Sequence, residues 1–377
     1  MAIGERRISF REKSIVMNAK ERVHAALEKK PVDRIPIFMW YHPATFQKLI
    51  HTLDIPPASF DMVMCNDVKQ RWVGNNFAME GITHDNDGEG HTDQWGVEWV
   101  RIDGFNQIKK SPLINASERE IFNYKLPVEH IEQLLSSMDE LIPFSKEYFI
   151  GCDISPCLLE LLFRIRGMEN TFIDILASPD ISHDLLQKAT AFSIDIGEKA
   201  CERYPLDWFW TGDDVGGQTS MMLSPELWRE MIKPHLKSIY DVGKKKKLWV
   251  AYHSCGSISP IIPDLIEIGL DVLNPIQCNC PGMNPIDLKK EFGNKLSFMG
   301  GVDTQQLLPN GTADEVYRET LKLIEGMTND GGGFILAASH TIPPETPLEN
   351  ILAMFRAAGV TGEEIYDRAA DARKKIR

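Results

Sequence analysis

No stretch of the chain approaches the ~20 consecutive apolar residues that a membrane-spanning helix needs. Residues 1–20 are charged and lack the apolar core of a secretory leader. Cysteine is sparse, seven in 377 residues and odd in number, which fits reduced thiols in a cytoplasm better than a disulfide framework. Positive charge is in deficit: 41 Lys and Arg face 54 Asp and Glu, a net charge of −13. Such an acidic surface repels phosphate, so neither nucleic acid nor an anionic membrane is an expected partner. Low-complexity stretches and linkers are absent too. So is a glycine-rich phosphate turn after the first apolar run, the usual mark of an open doubly wound sheet.

What is present is a large apolar fraction, 43%, with 25% charged residues, enough for a sizeable core in a soluble globular protein. From residue 148 onward, short apolar runs alternate with amphipathic segments. The runs are 148–152, 208–211, 248–253, 272–275, 296–300 and 333–338. Helical stretches between them include 225–242, 258–268, 285–292 and 313–327. Ser224-Pro225 has the form of an N-cap followed by a first-turn proline. Continuous apolar strands separated by helices are parallel strands buried on both faces. An earlier run, 34–40, follows a helix over about 18–28 and reads as the first strand. Residues 92–101, with alternating Trp95, Val97 and Trp99, predict an inserted antiparallel β-hairpin. Lys244–Lys247 is the one charge run, expected as a solvated helix end. The pattern predicts a (β/α)8 TIM barrel, a single domain over 18–377 preceded by an N-terminal helical arm, 1–17.

In a barrel the functional site lies where strands give way to loops. Polar and ionisable residues recur there: Trp40-Tyr41-His42, Asp153, Asp213 and Asp214, Tyr252-His253-Ser254-Cys255-Gly256, Asn274 with Gln277, Gly300-Gly301-Val302-Asp303, and Ser339-His340. In a continued ideal strand the two side chains of the His253-x-Cys255 pair would point to one side. Nitrogen and sulfur donors suit zinc, and a third ligand must come from elsewhere, His340 being the best candidate. The alternative is a buried cysteine beside a hydrogen-bonded histidine. Cys278 and Cys280 are either loop cysteines or further soft ligands. Asp213 and Asp214 could orient a metal-bound histidine, share a proton or cap a helix. Asp67 is open to three readings: catalytic carboxylate, cap or salt-bridge partner. Trp40, Tyr41, Trp72, Trp95, Trp99 and Trp210 either line a flat apolar pocket or pack in the core.

Asn18-Ala-Lys-Glu-Arg-Val23, Lys30-Pro-Val-Asp-Arg-Ile-Pro36, the segment Ile262-Pro-Asp-Leu-Ile-Glu-Ile-Gly-Leu-Asp-Val-Leu-Asn-Pro-Ile-Gln277, Phe298-Met-Gly-Gly-Val-Asp-Thr-Gln305 and Pro343-Pro-Glu-Thr-Pro-Leu-Glu-Asn350 resemble the uroporphyrinogen decarboxylase superfamily over about residues 18–358. The resemblance implies a (β/α)8 barrel and a homodimer. Decarboxylases of the superfamily carry an arginine-rich motif after the first strand that grips propionates. Here Met39-Trp-Tyr-His-Pro43 stands in that place, with no arginine. The other branch contains corrinoid-linked methyltransferases, whose coenzyme M-type members hold zinc on an H-x-C pair and a distant cysteine. His253 and Cys255 match the pair, and the distant position falls on His340, which is then either a zinc ligand or a retained catalytic histidine. Asp67 matches the decarboxylases' central aspartate, and the Gly212-Asp213-Asp214 turn resembles family members of undefined substrate, which implies the methyltransferase branch.

The resemblance thus implies methyl transfer between a small methylated substrate and a corrinoid (methylcobalamin-type) cofactor supplied by a separate protein. Zinc would act as Lewis acid, with Asp213 or Asp214 beside it. Trp40, Tyr41, His42, Asp153, Trp210, Tyr252 and Gln277 are the expected pocket residues, and the aromatics favour a methoxylated aromatic substrate, that is, an O-demethylase component. The alternative is a metal-free decarboxylase in which Asp67 and His340 handle protons. A barrel kept only for binding is a third reading.

Overall fold

The structure, a computed structural model, describes residues 16–74 and 84–374. The arm expected at 1–17 thus lies almost wholly outside the described residues. Among the described residues ten strands are present: β1 (Val68–Trp72), β2 (Gly90–Thr92), β3 (Glu98–Ile102), β4 (Phe105–Lys110), β5 (Phe149–Asp153), β6 (Trp208–Gly212), β7 (Trp249–His253), β8 (Val272–Ile276), β9 (Ser297–Val302) and β10 (Phe334–Ala338). Seven form one sheet in the order β1-β5-β6-β7-β8-β9-β10. The pairs β5–β6, β6–β7 and β9–β10 are parallel. Strands in chain order, joined by helices, give the (β/α)8 class that the sequence predicts. The described residues form two compact units.

One unit comprises 16–69, 144–149 and 273–374. Its first helix, Ala19–Leu27, starts at a capping box: the Asn18 side chain accepts from Glu21 N–H, and the Glu21 side chain from Asn18 N–H. The expected strand at 34–40 is reduced to isolated bridges, Ile37 to Leu336 and Tyr41 to Ile342, both parallel. The physical reason lies in its N–H groups. Pro36 has none, and those of Ile37 and Met39 go to the side chains of Asp67 and Asn66, at 2.8 and 3.1 Å, rather than to a strand. The segment still occupies a strand's place beside β10, because Phe38 N–H donates to Leu336 O and Leu336 N–H to Pro36 O.

Asp67 is the knot of this unit. Only 1% of its side chain is exposed, and its carboxylate accepts from Arg22 Nη1 at 2.6 Å and from Arg34 Nη1 and Nη2 at 2.8 and 2.9 Å. Its contacts are those of a buried salt-bridge partner, one of the three roles open from sequence.

The other unit comprises 70–74, 84–143 and 150–272. The expected hairpin is a three-stranded antiparallel sheet, β2-β3-β4. Asp93 organises its turn, accepting from the N–H groups of Trp95 and Val97 and from Trp99 Nε1. The helix expected over 225–242 is two, Pro225–Met231 and Lys233–Lys245, because Pro234 lacks the N–H that would carry one helix through. Ser224 caps the first by accepting from Leu227 N–H at 3.2 Å. Lys244 is not simply solvated, since its Nζ holds both carboxylate oxygens of Asp271 at 2.7 and 2.6 Å.

Asp213, just past β6, caps a neighbouring helix, Leu159–Arg166: its oxygens accept from Leu159 N–H at 2.8 Å and Glu160 N–H at 2.7 Å. Complete burial pushes its pKa up to about 7 against these two bonds, with the Glu160 and Asp214 charges adding to the rise.

Two outcomes follow. Asp67→Ala leaves Arg34 without its carboxylate and Arg22 with Asp33 alone, and should cost about 3 kcal/mol in urea unfolding; a loss under 1 kcal/mol would contradict the knot. Asp213 binds protons more readily folded than unfolded, so its contribution falls as pH rises from about 4 to about 7. Relative to Asp213→Asn, the wild type should lose stability over that window, at most on the order of 1.4 kcal/mol per pH unit. Parallel stability curves for the two proteins would refute this.

Candidate metal centre

β7 is apolar through its middle, with Val250, Ala251 and Tyr252 fully buried, and its last residue is His253. The strand does not continue to Cys255, so the pair is not brought together by ideal β alternation. The chain turns instead, through Gly256 at φ +81°, and the loop that follows β6 holds that turn. Asp214 Oδ1 accepts from Cys255 N–H at 2.8 Å. Val215 N–H donates to Ser254 Oγ at 3.2 Å, and Ser257 N–H to Gly217 O at 2.9 Å. The two loops touch backbone to backbone. A Cβ on Gly216 would stand 2.5 Å from Cys255 O, and one on Gly256 would stand 2.5 Å from Gly216 C. Only glycine tolerates such an approach.

The outcome is that His253 Nε2 lies 3.5 Å from Cys255 Sγ, with both residues half-buried. Tetrahedral zinc with its usual N and S bond lengths sets those two donors about 3.6 Å apart, so the pair fits one edge of a zinc site. Asp214 Oδ1 lies 3.8 Å from His253 Nε2. Of the two adjacent acids, Asp214 accompanies the donor pair, while the Asp213 carboxylate faces the helix it caps.

The other expected residues of this unit are placed as follows. Tyr252 is fully buried and its hydroxyl donates to the Asp213 carbonyl at 2.9 Å; burial holds the phenol well above its ordinary pKa. Asp153 is the last residue of β5 and not the first past it; its Oδ1 accepts from Ser155 N–H and Oγ at 2.9 and 2.6 Å. Trp210 is fully buried, its ring tilted against Trp208 with centroids 4.9 Å apart.

In the first unit, His340 follows β10 and is exposed. The preceding Ser339 is buried, its N–H donating to Val302 O at 2.7 Å and its hydroxyl paired with Thr304 Oγ1 at 3.1 Å. Trp40 is half-buried and meets Phe38 edge-on at 5.8 Å. Tyr41 meets Phe60 edge-on at 5.0 Å, and its hydroxyl is out of solvent with no hydrogen-bond partner among the described residues. His42 caps the helix Pro43–Leu53, its Nδ1 accepting from Ala44 N–H at 3.1 Å. Gln277 is buried just past β8. Burial pushes the Cys278 thiol up to about 11 and raises that of Cys280, which disfavours the thiolates a metal would need. Sequence reasoning did not single out Ser254, Ser339, Gly216 or Gly256 as site-builders. The adjacent glycines at 216 and 217 and the Cys255-Gly256 step were the available signals.

Among known proteins, the chain is 27% identical over 253 residues to the methylated-thiol–coenzyme M methyltransferase of Methanosarcina mazei, covering 65% of this chain and 63% of that relative's length. It is 23% identical over 357 residues to methylcobamide:CoM methyltransferase MtbA of the same organism, covering 90% of this chain and 97% of the relative. A solved methyltransferase from Methanosarcina mazei superposes with a TM-score of 0.64 at 17% identity, covering 91% of this chain and 99% of the other, and so shares the fold. The family described as uroporphyrinogen decarboxylase (URO-D) matches residues 149–359, more than half of the length, and the chain belongs to that family.

Proposed function

We propose that the protein is a corrinoid-dependent methyltransferase, moving a methyl group between a small methylated compound and the cobalt of a separate corrinoid protein, with zinc at the strand ends. The methyltransferase names of both relatives support the class. The donor set carries the zinc assignment: the His253 and Cys255 pair, 3.5 Å apart, with His340 as the third donor. Two nitrogens and one sulfur are the number and kind of donors that leave a catalytic zinc one open position. When bound, zinc supplies a Lewis acid for the heteroatom that bears or receives the methyl group.

The chain's own residues do the holding. Asp214 takes the Cys255 N–H, which fixes the loop, and its carboxylate stands 3.8 Å from His253 Nε2, on the metal side of the imidazole. Tyr252 and Trp210, both fully buried, close the apolar wall below the strand ends of their unit. Trp40, half-buried at the end of its strand segment, supports a methoxylated aromatic substrate, the O-demethylase reading. A second reading, with a thiol as methyl acceptor, is favoured by the thiol and coenzyme M in the relatives' names.

Tag-free protein should carry one zinc per chain by elemental analysis, lost in His253→Ala and Cys255→Ala. Zinc-free protein that releases CO2 from a pyrrole or aromatic acid would move the reading to the decarboxylases. His340→Ala should weaken zinc by at least ~10-fold without the loss of folded state that a core deletion brings. Cob(I)alamin with methoxyarenes, and methylcobalamin with thiols, separate the two substrate readings by the cobalt spectrum; no change with any of them, or with the native corrinoid protein, would overturn the class.

A further inference from the structure

We propose that two buried serine hydroxyls, Ser254 and Ser339, are positioning residues that hold the donor groups beside them ready for the metal. This role presupposes the zinc centre proposed above. Each serine immediately precedes a donor, Cys255 in one case and His340 in the other, and each is removed from solvent, at 0% and 4% exposure.

Ser254 works from both sides of its hydroxyl. It accepts from Val215 N–H at 3.2 Å, in the loop after β6, and donates to the Cys255 carbonyl at 3.3 Å. With the Cys255 N–H already held by Asp214, the polar backbone groups on both sides of the Cys255 Cα are fixed, and Gly216 presses against the same carbonyl. In the other unit Ser339 anchors the residue before His340 to a neighbouring loop. Its hydroxyl pairs with Thr304 Oγ1 at 3.1 Å and accepts from Thr304 N–H at 3.4 Å, so the loop after β9 is tied to the loop after β10.

Both hydroxyls reach a neighbouring strand's loop, beside a donor. A metal site gains affinity when its ligands need no reordering on binding, and the groups that orient ligands are worth roughly 10–100-fold in affinity.

The test uses the full tag-free chain, stripped and reloaded with zinc or cobalt(II) alone. Chelator competition should show zinc bound roughly 10–100-fold more weakly by Ser254→Ala and by Ser339→Ala, with one zinc still taken up at saturation. The cobalt(II) spectrum of each should lose intensity in its visible ligand-field bands, a change that mere loss of folding stability does not produce. Ser339→Thr, which keeps the hydroxyl, should restore wild-type affinity and spectrum, and it reads out the idea even if Ser254→Ala fails to fold. Zinc affinity within twofold of wild type in both alanine variants overturns the proposal while leaving the zinc reading intact. A wild type that binds no zinc sinks both.

Discussion

The hydrogen bond from Cys255 N–H to the Asp214 carboxylate is the contact on which the donor pair depends. Past His253 the ladder of β7 has ended, so nothing in the sheet fixes where Cys255 lies. A charge-assisted bond of 2.8 Å replaces the missing ladder bond. It works only because the two loops lie flush, which the bare Cα positions of Gly216 and Gly256 allow. The chain thus trades two side chains and some unfolded-state entropy for a loop that places an imidazole nitrogen 3.5 Å from a sulfur.

The adjacent acids show how environment divides chemistry between neighbours. Asp213 is fully buried and given over to the N-terminus of a helix, where burial and two N–H donors pull its proton affinity in opposite directions and burial wins. Asp214, one residue on, is more than a third exposed and serves the loop. Asp67 is a third case. Two arginines and a backbone N–H occupy its oxygens, which accounts for an aspartate in an apolar neighbourhood without calling on catalysis.

Most of the barrel was legible because buried parallel strands are continuous apolar runs, and β5 to β10 fall within a residue or two of those runs. The first strand was misjudged for a reason periodicity cannot contain: its N–H groups are diverted to Asn66 and Asp67, about thirty positions on. The H-x-C pair was legible as chemistry, but the reasoning from strand alternation was not what joins it; a turn held by a different loop does. Trp210 counted equally as pocket or core from sequence, and it is fully buried. The serines beside the donors were invisible because a hydroxyl's partner depends on which loops meet, and spacing along the chain does not report that.

The half-burial of Cys255 has a chemical corollary. All seven cysteines are present as thiols, and Cys255 is among the few that solvent reaches. A thiolate stripped of its metal in air is open to peroxide, passing to sulfenic acid and onward to the irreversible sulfinic form unless a second thiol intervenes. If this sulfur holds the proposed zinc, the site's lifetime under oxygen is set by how long it stays ligated.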